Sequence, residues 1–249
     1  MAHITLDGVT VAYPVVISNR QQSAFANAAH ALSFGRYGRG VGVDHVVAID
    51  DLTLDLPRGS RIGLIGRNGS GKSTLLKTCA GIITPAKGKI DITGTVGCLL
   101  GLGSGLEVDK SGMDNMRLIG RFHGLRGSDL NDAVAEAAEF TELGPFLHMP
   151  VRTYSTGMMA RLAFAIATAQ HSDIMLIDEV IATGDAHFIN KAVDRVRTVC
   201  ANSGVTLVAS HMPNLLADFC DEAIWMHAGK VQARGPVLEV WDQYAASVN

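Results

Sequence analysis

The feature that most constrains this chain is a glycine-rich octapeptide at residues 66–73, which reads Gly-Arg-Asn-Gly-Ser-Gly-Lys-Ser. It matches the phosphate-binding pattern G-x-x-x-x-G-K-[ST] at every fixed position. The glycines let the backbone curl until successive N–H groups face phosphate oxygens. An apolar segment precedes it at 61–65 and a segment of helical composition follows at 73–80, which disfavours a chance glycine-rich turn. The sequence therefore predicts a site for a nucleoside triphosphate with Mg²⁺. Lys72 would bring its charge to the terminal phosphates, and the Ser73 hydroxyl would ligate the metal.

A second acidic element lies downstream, where four apolar residues at 174–177 lead into Asp178 and Glu179. Ligands of an open parallel sheet collect at the carboxyl ends of its strands. Asp178 is predicted to hold Mg²⁺ directly or through water, and Glu179 to orient and deprotonate the attacking water. The alternative is a buried strand that happens to end in two exposed acids.

A third element, Tyr154-Ser155-Thr156-Gly157-Met158, directly precedes an apolar helical segment. The Ser155 side chain, the Gly157 backbone and a helix N-terminus would suit an anion. An ordinary N-capped helix is the competing interpretation.

Two single residues complete the candidate site. His211 follows a predicted strand and could donate a hydrogen bond as charge develops on a γ-phosphate, although a lone histidine is usually a surface residue. Tyr13 could stack its ring on adenine, and the alternative is a core tyrosine.

Bulk composition limits the class of protein. With 249 residues, of which 47% are hydrophobic, the chain can bury a full α/β core. Its net charge of −3 argues against general nucleic-acid binding. No apolar run approaches the ~18–20 residues of a membrane span, and the N-terminus lacks the pattern of a secretion signal. The four scattered cysteines are typical of free thiols in a reducing compartment.

Hydrophobic periodicity predicts alternating strands and helices. The predicted strands are an edge pair within 3–17, then 46–56, 61–65, 89–96, 174–177 and 206–209, and a hairpin of 224–227 with 231–234. The predicted helices are a short one inside an irregular stretch at 18–44, then 73–80, 113–123, 128–141, 156–170 and 186–202, with a capping box at 111–114.

At this point the chain resembles the nucleotide-binding subunit of ABC transporters, from about residue 4 to about residue 244. The phosphate loop, the acidic strand, the signature-like segment at 154–158 and His211 occur in the family's order. The chain is most similar to exporters of polysaccharides such as O-antigen, capsule or teichoic acid. The segments that carry this second resemblance are 154–169, 178–185, 100–106 and the insertion at 18–44.

The resemblance implies an α/β fold of the P-loop NTPase class. Its parts would be a RecA-like core sheet, an N-terminal antiparallel β subdomain and a helical signature subdomain at about 98–170. Residues 1–249 would form a single nucleotide-binding domain with no extra C-terminal carbohydrate-binding domain. The implied activity is ATP hydrolysis coupled to transmembrane transport.

The resemblance also implies how the site is assembled. Two copies of the chain would sandwich two ATP molecules, with Lys72, Glu179 and His211 catalytic on one side. The partner copy would present the signature residues Ser155, Thr156, Gly157 and Met158, and Asp185 would cross the dimer interface. The residues expected to bind ATP are Tyr13, Gly66, Arg67, Asn68, Gly69, Ser70, Gly71, Lys72, Ser73 and Thr74.

The expected partners are a transmembrane permease, a second copy of the chain and a lipid-linked glycan as cargo, with no nucleic acid. The subunit would sit peripherally on the cytoplasmic face of the cytoplasmic membrane, with a docking groove around 99–114. The chain departs from the family in having no glutamine between residues 94 and 111, where Glu107 is the nearest polar candidate. The alternatives are an exporter of another cargo, such as a lipid or drug, and a non-transport ABC ATPase.

Overall fold

The computed structural model describes residues 2–15, 37–39, 44–101, 105–169, 171–178 and 186–248. The chain divides into two compact units. The first comprises Met1–Thr95 and Gly204–Asn249, and the second comprises Val96–Ser203. The short helix predicted inside the irregular stretch at 18–44, on apolar residues from Ala24 to Leu32, lies outside the described residues.

The first unit contains eight strands and three helices among its described residues. In chain order they are β1 His3–Val15, β2 Tyr37–Arg39, β3 Asp44–Leu56, β4 Arg61–Ile65, α1 Lys72–Cys79 and β5 Lys87–Thr93, and then β8 Val205–Ala209, α6 Pro213–Phe219, β9 Glu222–His227, β10 Lys230–Pro236 and α7 Val237–Val248.

The N-terminal strands form an antiparallel sheet in the order β2-β3-β1-β5. The predicted edge pair within 3–17 is wrong, because β1 is one continuous strand that pairs with β3 on one side and β5 on the other. Register shifts follow Leu6, near Gly8 with its positive φ of 56°. They let the apolar side chains of Ile4, Leu6, Val9 and Val11 all stay buried.

The second sheet of this unit is built on β4, which runs parallel to β8 on one side and to β9 on the other. Both β4 and β8 are mostly apolar, and every residue of β8 is buried. The predicted hairpin is confirmed, since β9 and β10 pair antiparallel. Because β4 and β8 are parallel and in register, the loops that follow them leave the sheet at the same edge.

The second unit is mostly helical. In chain order it contains β6 Val96–Leu99, α2 Gly112–Phe122, α3 Gly127–Thr141, 3₁₀ turns at Gly144–His148 and Val151–Thr153, α4 Thr156–Thr168, β7 Ile174–Asp178 and α5 Ala186–Asn202. Its core joins α2, α3 and α4 through buried apolar side chains such as Met116, Leu130, Val134 and Leu162. The predicted helix start is present with Ser111 as the N-cap, because the Ser111 hydroxyl accepts from the Asp114 N–H at 3.1 Å and donates to the Asp114 carboxylate at 2.6 Å.

Two further differences from the predicted elements have local causes. The strand predicted at 89–96 is interrupted by Gly94, whose φ of 113° turns the chain, so that β5 joins the antiparallel sheet and β6 pairs with β7. Helices α6 and α7 were not predicted. Pro213 marks the start of α6 at a helix position where proline is tolerated. Within the described ranges, no helix has the length and apolar character needed to cross a bilayer.

Candidate functional site

The phosphate loop follows β4, and at two positions it packs so closely against neighbouring backbone that only glycine fits. Gly66 is buried with a φ of 149°, and a Cβ added to it would lie 2.3 Å from the Met226 carbonyl oxygen. A Cβ on Gly71, with a φ of 112°, would lie 2.6 Å from the Ala48 carbonyl oxygen. The backbone can take this path only without side chains at both positions.

Lys72, the first residue of α1, is only 8% exposed. Its Nζ donates to the Gly66 carbonyl at 2.6 Å and to the Arg67 carbonyl at 3.3 Å. The ammonium group therefore points back from the start of α1 onto the phosphate loop that precedes this helix. A buried cation of this kind is stabilised by anions. The helix N-terminus and Lys72 together fit a polyphosphate.

The hydroxyl residues of the loop differ in exposure. Ser73, the predicted metal ligand, is exposed, and Thr74 is half-buried. Ser70 is 4% exposed, and its hydroxyl has no hydrogen-bond partner within the part of the chain that the structure describes. Only the first two are therefore accessible to a ligand in this conformation.

Tyr13 lies near the end of β1, beside the first turn of α1. Its hydroxyl is 3.3 Å from the Thr74 hydroxyl, and the residue is 39% exposed. The ring is therefore outside the core and next to the phosphate loop.

His211 lies in the short connection between β8 and α6. Its Nε2 is 3.2 Å from the Asn68 side-chain oxygen, which belongs to the exposed tip of the phosphate loop. The neighbouring Ser210 is buried, and its hydroxyl accepts from the Met212 N–H at 3.1 Å. The parallel pairing of β4 with β8 thus places His211 on the loop.

The second unit holds the other predicted groups. Asp178 is half-buried at the last position of β7. Ser155 is the N-cap of α4, and its hydroxyl accepts from the Met158 N–H at 3.2 Å. Both Ser155 and Thr156 are exposed at this helix start. Ser155 is therefore an N-cap, and in this role its hydroxyl oxygen accepts a hydrogen bond while its O–H does not donate one.

Tyr154 anchors the start of α4. It is 8% exposed, and its hydroxyl donates to the Phe146 carbonyl at 2.7 Å. Desolvation of the phenol raises the pKa of Tyr154 above its usual value. This side chain therefore fixes the position of Ser155 rather than offering a group for acid–base chemistry.

The structure brings Tyr13, the phosphate loop with Lys72, and His211 together in the first unit. Asp178 and residues 155–158 occupy the second unit, and Glu179 and Asp185 lie outside the described residues. The roles of all these residues stay predictions.

Sequence reasoning missed Asn115, which is fully buried in α2. Its amide oxygen accepts from the Glu107 N–H at 2.8 Å, and its amide nitrogen donates to the carbonyls of Glu107 at 3.0 Å and Ser111 at 2.9 Å. The Glu107 side chain is exposed while its backbone is held in place. A lone asparagine in an amphipathic segment gives no signal of this kind, because it reads as a surface residue.

The same segment is tied to the residues that lead into α4. The Val151 N–H donates to the Lys110 carbonyl at 2.9 Å, and the Arg152 N–H donates to the Val108 carbonyl at 2.8 Å. The Arg152 guanidinium also pairs with Asp109 at 2.8 Å. The segment around Glu107 is thus joined by backbone hydrogen bonds to the residues just before the signature segment.

Comparison with known proteins agrees with this geometry. The profile of the ABC transporter family matches residues 49–182. The O-antigen export system ATP-binding protein RfbE of Yersinia enterocolitica is 38% identical over 93% of this chain and 97% of its own length. RfbB of Myxococcus xanthus, which bears the same description, is 39% identical over 82% of this chain and 47% of its length. The teichoic acids export ATP-binding protein TagH of Bacillus cereus is 38% identical over 82% of this chain and 37% of its length. The chain thus spans less than half of the latter two relatives.

Solved structures show the same fold. An ATP-binding subunit of an ABC transporter superposes with a TM-score of 0.74 at 19% identity, over 98% of this chain and 93% of that one. A dimeric ATP-binding cassette in a post-hydrolysis state, bound to ADP and Pi, gives a TM-score of 0.71 at 18% identity, over 94% and 98%. The predicted fold class is confirmed. The extent of the profile match and the near full-length similarity to the Yersinia protein lead to one conclusion: the chain belongs to the ABC transporter family.

Proposed function

We propose that this chain is the ATP-binding and hydrolysing subunit of an exporter that moves a lipid-linked polysaccharide across the cytoplasmic membrane through a separate permease. The observation that carries the ATPase part is the convergence of Lys72, Tyr13 and His211 on one glycine-constrained loop. The cargo part rests on the relatives, which are described as O-antigen and teichoic acid export ATP-binding proteins.

The loop would bind the triphosphate with backbone N–H groups, the α1 N-terminus and the Lys72 ammonium. Tyr13 would cover one face of the adenine ring, since its ring is exposed beside α1. The exposed Ser73 hydroxyl and the Asp178 carboxylate would hold Mg²⁺, which would neutralise negative charge on the phosphates.

Hydrolysis needs a base for water and a donor for the phosphate. Glu179, next to the end of β7, would accept the proton of the attacking water. His211 would donate from its ring nitrogen to the γ-phosphate as negative charge moves onto it. Lys72 would stabilise the same charge with its ammonium group.

A complete site would need a second copy of the chain. The start of α4 is exposed at Ser155 and Thr156, with a helix N-terminus suited to an anion. In the proposed dimer, residues 155–158 of one copy face the nucleotide held by the other, and Asp185 crosses the interface. Closure would exclude water and complete the charge stabilisation, so that ATP binding would close the pair and hydrolysis would open it.

The permease would dock near residues 99–114, and the subunit would be peripheral on the cytoplasmic face of the membrane. Coupling through this region is supported by the hydrogen bonds that join the Glu107 segment to the residues before Ser155. Movement of a docked permease segment would thereby be passed to the signature segment.

The test is made in cells. A Lys72→Ala variant replaces the native protein, and surface glycans are profiled together with lipid-linked glycans left inside. We expect one surface polysaccharide to disappear and its lipid-linked precursor to accumulate. The matched control is Lys77→Ala, which removes an exposed lysine from the other end of the same helix. Unchanged glycans with the Lys72 variant, alongside loss of its ATPase activity in vitro, would keep the ATPase and reject polysaccharide as the cargo.

A further inference from the structure

The contact between His211 and Asn68 joins two loops that the fold brings to one edge of the sheet. The Nε2 atom of His211 lies 3.2 Å from the Oδ1 atom of Asn68. An amide oxygen only accepts, so this contact requires a proton on Nε2. The hydrogen bond therefore selects the imidazole form in which Nε2 is the donor, and it aims that donor at the tip of the phosphate loop.

The position of Asn68 explains why its side chain can do this. The residue is exposed, and it precedes Gly69, whose φ of 79° turns the loop. The backbone on either side is fixed, because the Ser70 N–H donates to the Arg67 carbonyl at 3.0 Å and Lys72 donates to the Gly66 carbonyl. The amide is thus presented from a rigid turn.

The base of His211 is equally fixed. Ala209, two residues before His211, is paired with Leu64 in the parallel register of β8 with β4. Ser210 is buried with its hydroxyl bonded to the Met212 N–H. With both backbones held, the hydrogen bond from Nε2 to Asn68 bears on the rotamer and tautomer of the imidazole ring.

We propose that Asn68 is a positioning residue for His211, which selects the Nε2-protonated tautomer and points it toward the terminal phosphate before the nucleotide arrives. This inference rests on the proposed ATPase function, and it adds a residue that acts through the histidine. A phosphate oxygen is a stronger hydrogen-bond acceptor than an amide oxygen. When ATP binds, the His211 N–H can therefore donate its hydrogen bond to the phosphate instead of Asn68, or to both. Preorganising one donor in this way removes a reorientation cost from the chemical step.

The first measurement is a nitrogen NMR spectrum of the full chain, labelled at histidine and recorded without nucleotide at pH 8. The His211 signals are assigned by their loss in His211→Ala. We expect the wild type to show the Nε2-protonated tautomer and Asn68→Ala to show a mixture of the two neutral tautomers. The matched control is Arg67→Ala, which changes the adjacent exposed loop residue and should leave the His211 signals unchanged. Identical signals in the wild type and Asn68→Ala would overturn the proposal.

The second measurement is a double-mutant cycle on kcat for ATP hydrolysis. Asn68→Ala should lower kcat about 3- to 10-fold when His211 is present, the size expected for one oriented hydrogen bond. It should change kcat less than about 2-fold in the His211→Ala background. An equal loss in both backgrounds would show that Asn68 acts directly on the nucleotide or on the fold.

The variant Asn68→Asp distinguishes a positioning role of Asn68 from a purely structural one. It keeps an acceptor oxygen in place and adds a negative charge near the phosphates. We expect it to restore kcat relative to Asn68→Ala while raising KM, and a kcat no better than that of Asn68→Ala would count against the proposal. Failure of the proposed function would look different, since ATP affinity in the wild type and in Lys72→Ala would then be the same.

Discussion

At the scale of single residues, the phosphate loop is set by sterics as much as by chemistry. A side chain at Gly66 would collide with the Met226 carbonyl at 2.3 Å, whereas a Cβ on Gly69 would meet nothing within 4 Å. We expect Gly66→Ala to destabilise the chain by about 3 kcal/mol or more, because backbone must shift in addition to the strain at positive φ. Gly69→Ala should cost about 1–2 kcal/mol, from φ strain alone. Urea unfolding of the two variants measures the difference, and equal losses would contradict the steric argument.

Lys72 gives the second prediction at this scale. Its buried Nζ already spans the loop carbonyls, so Lys72→Ala removes a charge placed for phosphate. We expect ATP affinity to fall roughly 10- to 100-fold, the value of one or two charge-assisted hydrogen bonds. Titration with a fluorescent ATP analogue measures this. Lys77→Ala should bind as the wild type does, and unchanged affinity in Lys72→Ala would show that the loop assignment is wrong.

The residues that sequence could identify are those whose type and spacing are fixed by one chemistry. Gly66, Gly71 and Lys72 belong to a pattern that a backbone cradle for phosphate demands. The contact of Asn68 with His211 could not be predicted, because the two residues lie far apart in sequence, and Asn115 was missed because nothing in its segment marks it as buried. His211 lies 143 residues from Asn68 along the chain, and only the parallel pairing of β4 with β8 makes them neighbours.

At the scale of elements, Asn115 joins α2 to the segment before it. Its side chain makes three hydrogen bonds to the backbone of Glu107 and Ser111 while fully buried. We expect Asn115→Leu to destabilise the chain by about 2–3 kcal/mol, because backbone groups lose their partners without access to water. Denaturant unfolding measures it. The control is Asn131→Leu, at an exposed site on α3. Equal stability of the Asn115 variant and this control would show that the Asn115 hydrogen bonds do not stabilise the fold.

A charge network fastens the end of α3 to the two helices that follow. Glu142 lies 2.6 Å from Lys191 on α5, 3.7 Å from Arg161 on α4 and 3.8 Å from His187. The hydrogen bond from Lys191, followed by the charges of Lys191, His187 and Arg161, lowers the pKa of Glu142 below its usual value of 4.5. The folded state thus favours the ionised form, so its stabilisation is present above pH 4.5 and is lost as pH falls through the lowered pKa.

We therefore expect Glu142→Gln to be less stable than the wild type at pH 7 and to approach it as pH falls below 4.5. Thermal unfolding across pH 3–7 measures the difference. Glu139→Gln, on the exposed face of α3, should follow the wild type throughout. A gap between Glu142→Gln and the wild type that stayed constant with pH would mean that the network does not depend on ionisation.

Helices with strong periodicity were predictable, and the pairing of strands was not. The helices at 112–122, 127–141 and 186–202 match the predicted spans within a residue, because each has an amphipathic pattern and clear termini. The segment 87–99 does not, since Gly94 splits a run of strand-forming residues between two sheets. Hydrophobic alternation reports burial but not which neighbour a strand pairs with, so the interior place of β1 was also missed.

At the scale of the whole molecule, the two units carry different parts of one proposed reaction. The first holds the phosphate loop and His211, and the second holds Asp178 and the exposed start of α4. Sequence order alone indicated these parts through the resemblance to the family. It could not indicate how α4 is anchored, since that depends on Tyr154 donating to Phe146 and on backbone bonds to the segment 108–110.

The dimer proposed from these parts leads to the last prediction. Glu179→Gln keeps a side chain of the same size but cannot accept a proton from water, so ATP should bind without being cleaved. We expect turnover to fall roughly 10²–10⁴-fold, the usual contribution of a general base. Since ATP would join the phosphate loop of one copy to residues 155–158 of the other, uncleaved ATP should hold the pair together. For Glu179→Gln, light scattering after size exclusion should give the mass of two chains in the presence of ATP and of one chain in the presence of ADP. Glu139→Gln should hydrolyse ATP at the wild-type rate and stay monomeric after turnover. Near-normal hydrolysis by Glu179→Gln would remove Glu179 from the base role, and a monomer that retains uncleaved ATP would reject the shared site.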